Sequence, residues 1–264
     1  MYAFNYHRPS SLEDAKQALS SAEDGKIVAG GMTLIPTMKQ RLASPSDLID
    51  LGGIAGLKGV SEEGGKLVIG AMTPHAAVAA SDLVKNKIPA LAALAEGIGD
   101  PQVRNRGTIG GSIANADPAA DYPAGLVGLG ATVKTAKREI PADDFFTGLF
   151  ETALEDDELV ISVAFPIPEK AGYAKFANPA SRYAIVGVMV SSGPAGTRVA
   201  VTGAGPSVFR VSEMETALEG NWSPDAVKGL SVSAGNLNGD LHASAEYRAH
   251  LVGVMAARAV KAAG

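Results

Sequence analysis

Residues Ala29–Lys39 read AGGMTLIPTMK, and residues Thr108–Ala124 read TIGGSIANADPAADYPA. In the first, the short apolar run Lys26–Ala29 reads as a strand that stops at Gly30-Gly31, and a helix-like run from about Leu34 to Leu42 follows. Glycines lack a Cβ, so successive N–H groups can curl into a concave nest able to hold a pyrophosphate, and Thr33 adds a hydroxyl donor. A helix beginning there would contribute its positive end. The spacing fits neither GxxxxGK[ST] nor GxGxxG, which argues against a P-loop nucleotidase and a standard Rossmann domain. Gly-Gly after a strand also serves as a plain turn, so this segment alone leaves both readings open.

The second segment repeats the device. Gly110-Gly111 is followed by Ser112, Asn115 and Asp117, short polar side chains beside exposed backbone, and by Asp121, a candidate acceptor for ribose or adenine groups. Asn115, Asp117 and Pro118 are equally at home in turns that bind nothing. Two such loops could grip both ends of one dinucleotide.

Outward from these segments the chain reads as α+β. Tyr2–Tyr6 is a predicted strand, Ser10 and Glu13 form a candidate capping box for a helix over Leu12–Leu19, and Leu48–Leu51 is the next strand. The opening is thus a small β-α-β-α-β unit. From Lys66 short elements alternate with glycine and proline: LVIGAM, then Pro74 as a first helical residue, then the Ala/Leu run Ile88–Gly97. Val160–Phe165 is β-like and is closed by PIPEK, which places a boundary there. Strands are expected at Gly172–Phe176, Ile185–Val190 and Arg198–Thr202. Tyr247, Leu251, Val254, Met255 and Arg258 fall at helical spacing in the last helix. The predicted domains are 1–168, subdivided at 55/56, and 169–264.

Composition narrows the function. With 264 residues, 46% of them hydrophobic, the chain can bury a substantial core. A net charge of -5 offers no basic footprint for nucleic acid. No apolar run approaches the roughly 18–20 residues of a membrane span, and the start lacks a secretory pattern, so a cytoplasmic protein without an integral membrane segment is expected. Zero cysteines exclude a thiolate nucleophile and a cysteine-ligated iron-sulfur cluster in this chain. The four histidines are scattered without metal-site spacing. Any metal chemistry belongs to a partner.

Together the two glycine segments, the opening FNYHRPSSLEDA, the phrase DPQVRNRGTIGG, the stretch YAKFANPASRYAIVGV and the C-terminal SAEYRAHLVGVMAARAV resemble the FAD-binding medium subunit of molybdenum hydroxylases, a group that includes aerobic carbon monoxide dehydrogenase and xanthine dehydrogenase. The resemblance runs over nearly the whole chain. It implies an α+β flavin fold of the PCMH type, as in vanillyl-alcohol oxidase and UDP-N-acetylenolpyruvylglucosamine reductase, followed by a smaller α+β C-terminal domain. It implies that Ala29, Gly30, Gly31, Met32 and Thr33, with Thr108, Ile109, Gly110, Gly111 and Ser112, wrap the FAD diphosphate. Asp121 would bind another part of the cofactor, beside the candidates Asn115 and Asp117 read from the residues themselves; Leu159 would approach the ring through its backbone, Lys175 matches the family's lysine in its Y-x-K phrase, and Tyr183 falls where a residue close to the ring is expected.

A tyrosine at the start of an apolar strand is as readily a core or interface residue, so Tyr183 is open in its own right. Met32 stands where the family commonly has histidine, and Thr33 where it has serine. Threonine keeps the hydroxyl; methionine cannot hydrogen-bond as imidazole does. No side chain is assigned as general acid or base. The resemblance further implies an oxidoreductase complex, a dimer of heterotrimers. Its large subunit would carry the molybdenum cofactor and its small subunit two 2Fe-2S clusters, and this chain would relay electrons to an external acceptor. The competing readings are a stand-alone flavin oxidase or reductase of the same superfamily, and a non-catalytic scaffold in which the glycine turns are structural.

Overall fold

A computed structural model describes residues 1–264. The chain opens with strand β1 (Asn5–His7), helix α1 (Leu12–Ser21), strand β2 (Gly25–Val28), helix α2 (Leu34–Lys39) and strand β3 (Asp47–Asp50). The three strands form a parallel sheet in the order β1-β3-β2. The predicted β-α-β-α-β unit is present, with two local corrections. Its first strand begins at Asn5, not Tyr2. Helix α1 is capped by Ser11, whose hydroxyl accepts the Asp14 N–H at 3.1 Å, so the Ser10–Glu13 box does not form. Ser11 and Asp14 repeat the Ser10 and Glu13 spacing one residue on, and the cap falls to the serine adjoining the first helical residue.

The middle region holds strands β4 (Val60–Glu63) and β5 (Lys66–Gly70), then helices α3 (His75–Ala80), α4 (Asp82–Lys87), α5 (Pro89–Glu96), α6 (Pro101–Arg106), α7 (Ile109–Asn115) and α8 (Tyr122–Leu129). Strands β6 (Thr132–Thr135) and β7 (Glu139–Pro141), helix α9 (Ala142–Phe145), the hairpin β8 (Phe146–Gly148) and β9 (Glu151–Thr152), and strand β10 (Val160–Pro166) complete it. A five-stranded sheet runs β4-β5-β10-β6-β7, antiparallel throughout. Pro74 is the N-cap of α3 in extended backbone (ψ 149°), not its first helical residue. Helix α8 is buried along its whole length, which suits its lack of polar side chains beyond the Tyr122 hydroxyl.

The last third forms an antiparallel sheet, β11 (Lys170–Ala177), β12 (Ala184–Ser192), β13 (Arg198–Thr202) and β14 (Phe209–Arg210) in that order, with helices α10 (Ser212–Gly220), α11 (Pro224–Val227) and α12 (Ala245–Ala263). β12 packs against α8 and α12, which explains its nearly unbroken apolar sequence AIVGVMV. The predicted last helix is present as α12, and its inward stripe includes Arg248, Leu251, Val252, Met255, Ala256, Ala259 and Val260. Arg248 is tolerated inside because its guanidinium donates to the carbonyls of Ile185 (2.6 Å) and Gly203 (3.0 Å) and pairs with Asp240 at 2.8 Å. Three apolar clusters result, one around α5, α8 and β10, one between the last sheet and α12, and a smaller one beneath α1 and β3.

Candidate functional site

One large cleft, about 590 Å³, opens between the first unit and the middle region, and the turn Ser181–Tyr183 of the last third closes one side. Its size suits a cofactor rather than an ion. The two glycine segments meet at its base. A Cβ on Gly30 would lie 2.1 Å from the Arg106 carbonyl oxygen and 2.8 Å from the Gly107 Cα, so only glycine lets these two stretches of backbone touch. Gly111 faces Ala29 from the other side, where a Cβ would stand 3.4 Å from that of Ala29.

The turn Ala29–Thr33 follows β2, and Gly31 takes φ +72°, the left-handed conformation a nest needs. None of the five N–H groups from Ala29 to Thr33 donates to another group of the chain. All five residues line the cleft. Thr33 occupies the N-cap position of α2, yet its hydroxyl makes no capping bond and stays available. Such a run of unpaired main-chain donors is the natural receiver of an anionic diphosphate.

The second segment is built differently. Thr108 caps α7, its hydroxyl accepting the Gly111 N–H at 3.1 Å. The Ile109 N–H donates to the Thr73 carbonyl, that of Gly110 to Ala71 (2.8 Å), and that of Ser112 to Thr108. The expected second main-chain cradle is therefore a capped helical turn whose N–H groups from Ile109 to Ser112 are all taken. What this segment turns toward the cleft is side chain: the hydroxyl of Ser112 and the amide of Asn115 make no bonds within the chain, and both residues line the cavity with Thr108, Gly110 and Gly111.

Of the other expected residues, Met32, Asp117, Asp121, Leu159 and Tyr183 line the cleft, whereas Ile109 and Lys175 do not. Ile109 is fully buried in the core. Lys175 stands behind the wall as a brace, its ammonium donating to the carbonyls of Gly97 and Arg182, both at 2.9 Å, and pairing with Asp121 at 2.9 Å. The phenol of Tyr173 donates to the same carboxylate at 2.5 Å. Asp121 thus has both oxygens engaged; its burial raises its pKa against the opposing pull of Lys175. Burial likewise raises Asp117. Leu159 keeps its N–H unpaired at the cleft while its carbonyl accepts from Ala136. Beside it Glu158 is held at about 2 by the Arg138 guanidinium and the Thr135 hydroxyl.

The sequence reading missed His75, Ile98, Val103, Leu154 and Arg182, all of which line the cleft. Ile98 and Leu154 are aliphatic residues with no motif around them, while Val103 and Arg182 lie inside the phrases DPQVRNRGTIGG and YAKFANPASRYAIVGV without a polar spacing that singles them out. His75 is buried, its Nδ1 sealed from solvent without a partner, and burial, with Arg104 adding to it, lowers its pKa to about 4. It is neutral at pH 7. The donor set fits a dinucleotide: unpaired main-chain amides for phosphate at one end, an apolar wall of Ile98, Val103, Leu154 and Leu159, and the free amide of Leu159 against it.

Comparison with known proteins assigns both parts of the chain to one family. The family model described as the FAD binding domain in molybdopterin dehydrogenase matches residues 2–168, and that of the CO dehydrogenase flavoprotein C-terminal domain matches residues 172–263. The chain is 39% identical to the nicotine 6-hydroxylase medium subunit of Paenarthrobacter nicotinovorans, over 99% of this chain and 98% of that protein. It is 35% identical to the carbon monoxide dehydrogenase medium chain of Hydrogenophaga pseudoflava, over 98% of this chain and 96% of the relative. Among solved structures, the reconstituted CO dehydrogenase from Oligotropha carboxidovorans superposes with a TM-score of 0.92 at 35% identity, covering 99% of this chain and 98% of that one. Quinoline 2-oxidoreductase from Pseudomonas putida 86 gives 0.88 at 30% identity, covering 99% and 97%. With the cleft, its free amides and both halves of the chain accounted for, the protein belongs to the medium, FAD-binding subunits of the molybdenum hydroxylases, the oxidoreductase family of CO dehydrogenase and xanthine dehydrogenase.

Proposed function

We propose that this chain binds one FAD in the cleft, takes electrons from an iron-sulfur subunit and passes them to an external acceptor, with substrate oxidised elsewhere at a molybdenum cofactor. The observation that carries the reading is the unbroken run of five unpaired N–H groups at Ala29–Thr33. These amides and the Thr33 hydroxyl hold the diphosphate; Ser112 and Asn115 bind from the facing helix. Asp117 and Asp121 border the site, and Tyr183 and the Leu159 amide lie against the ring. Ile109 and Lys175 act on the cofactor only through the residues they hold. Bound FAD supplies the redox chemistry, and the protein orients it and excludes water.

The absence of cysteine supports placing the clusters on another subunit. No group of His, Asp or Glu in the chain is arranged to hold a metal ion, and no helix is long and apolar enough to cross a membrane. The partners are a large molybdenum-cofactor subunit and a small subunit with two 2Fe-2S clusters, paired as a dimer of heterotrimers. Residues 1–168 form the FAD-binding domain and 169–264 the C-terminal domain.

The test is co-expression with large and small subunits of the same complex. Purified complex is expected to show the visible bands of oxidised flavin, bleached by substrate only when all three subunits are present. A chain that takes up no FAD after reconstitution overturns the proposal, and flavin bleached by substrate in the isolated chain replaces it with a stand-alone oxidase.

A further inference from the structure

Two buried polar atoms beside the cleft have no hydrogen-bond partner: Nδ1 of His75 and the hydroxyl of Tyr122. Their residues are neighbours, with ring centroids 5.3 Å apart and planes tilted by 50°. A sealed polar atom without a partner costs free energy, and these two, of complementary kind on neighbouring rings, are not bonded to each other as they stand. A phenol is a good donor and a neutral imidazole offers one acceptor nitrogen.

The other ring nitrogen, Nε2, has a different environment. It makes no bond within the chain, is not sealed as Nδ1 is, and belongs to a residue lining the cleft. Gly107 leaves the room it needs, since a Cβ there would sit 2.6 Å from Nε2. The tautomer of the imidazole therefore decides what the cleft meets at this point. A proton on Nε2 presents a donor, and a proton on Nδ1 presents an acceptor.

We propose that Tyr122 and His75 form a tautomer-fixing pair: a small adjustment of the two neighbouring rings lets the phenol donate to Nδ1, and the Nε2–H is thereby presented as a donor to an oxygen of the dinucleotide in the cleft. His75 is then a cofactor-binding residue and Tyr122 a positioning residue. The low pKa of His75 fits this role, because a neutral ring has a single tautomer to fix. The ligand half of the proposal rests on the FAD reading above; the pairing of Tyr122 with His75 does not.

The test uses the full-length chain with 15N-labelled histidine, without and with FAD, in two-bond proton-nitrogen spectra, the His75 signals being identified by their loss in His75→Gln. The wild type is expected to show His75 as the Nε2–H tautomer near neutral pH, and Tyr122→Phe, which removes one oxygen and keeps the ring, to shift it toward a mixture. FAD should move the His75 Nε2 signal more than those of His7, His242 and His250, and Tyr122→Phe should weaken FAD binding about twofold to tenfold. An Nδ1–H tautomer in the wild type, or an unchanged tautomer in Tyr122→Phe, overturns the pair. FAD that binds while leaving the His75 signal in place overturns the ligand contact. If no FAD binds at all, the proposed function fails, and the spectra of the cofactor-free chain still decide the pair.

Discussion

The two Gly-Gly segments carry the same dipeptide and do opposite work. At Gly30-Gly31 the backbone turns through a left-handed residue and leaves five consecutive amides unpaired. At Gly110-Gly111 the backbone enters a capped helix and every amide from Ile109 to Ser112 is taken. The first pair exposes donors. The second pair packs: a Cβ on Gly110 would stand 2.6 Å from the Ala71 Cβ and 2.7 Å from its carbonyl oxygen. A glycine motif thus marks a place where backbone must come close to something, and only the hydrogen-bond partners say whether that something is a ligand or the protein itself.

This difference can be attacked by mutation. The largest effect is expected at the support of the second segment. Lys175→Met removes the partner of a fully buried Asp121, and loss of one member of a buried pair costs about 3–5 kcal/mol. Urea unfolding should show a lower midpoint with an unchanged slope. Next come Gly30→Ala and Gly110→Ala. Both force a methyl into backbone and should destabilise by about 1–3 kcal/mol or more. Gly30→Ala should also abolish flavin retention by spreading the two segments, whereas Gly110→Ala should keep FAD in whatever fraction remains folded. Equal flavin loss in both would erase the distinction between the two glycine pairs.

A smaller and sharper contrast lies in the two threonines. Thr108→Ala deletes a helix cap and should cost about 1 kcal/mol in thermal stability. Thr33→Ala deletes a hydroxyl that caps nothing, so the melting temperature without cofactor should stay put while FAD affinity falls up to about tenfold.

The smallest effect at neutral pH is electrostatic. His75 folds with its pKa lowered to about 4, so its contribution is fully present above its ordinary 6.5 and disappears as pH falls through 4. Glu158, lowered to about 2, adds a second loss between 4.5 and 2. The acid limb of stability should therefore fall in two stages, and His75→Gln should flatten the upper one. A single-stage limb in the wild type would show that burial does not hold His75 neutral.

Local signals carried the sequence reading where they were unambiguous. The opening β-α-β-α-β unit follows from alternating short apolar runs, and the last helix from its 3.6-residue spacing. The first glycine turn was legible because strand, glycines and helix adjoin in sequence. The second was not. Ile109–Asn115 contains two glycines and an asparagine, poor helix formers, and it is helical because Thr108 caps it and Ala71 and Thr73 accept its first amides from a distant segment. The burial of Arg248 on α12 is illegible for a related reason: it depends on carbonyls of Ile185 and Gly203 that no local pattern foretells. His75 carries no motif at all, and its importance appears only when Tyr122, Gly107 and the cleft surround it. Fourteen of the sixteen expected site residues border the cavity, and the two exceptions are a core residue and a brace behind the wall.

The turn after β2 also bears on how the chain lives in a cell. A native state with unfilled donor capacity is completed by what it binds, and any molecule that occupies the folded form alone raises its population by mass action. At a concentration one hundred times its dissociation constant such a molecule adds about 2.7 kcal/mol, a sizeable share of a typical domain's total stability. Supply of flavin would then regulate the abundance of this polypeptide as well as its colour, and scarcity would be read out as turnover before it was read out as lost catalysis.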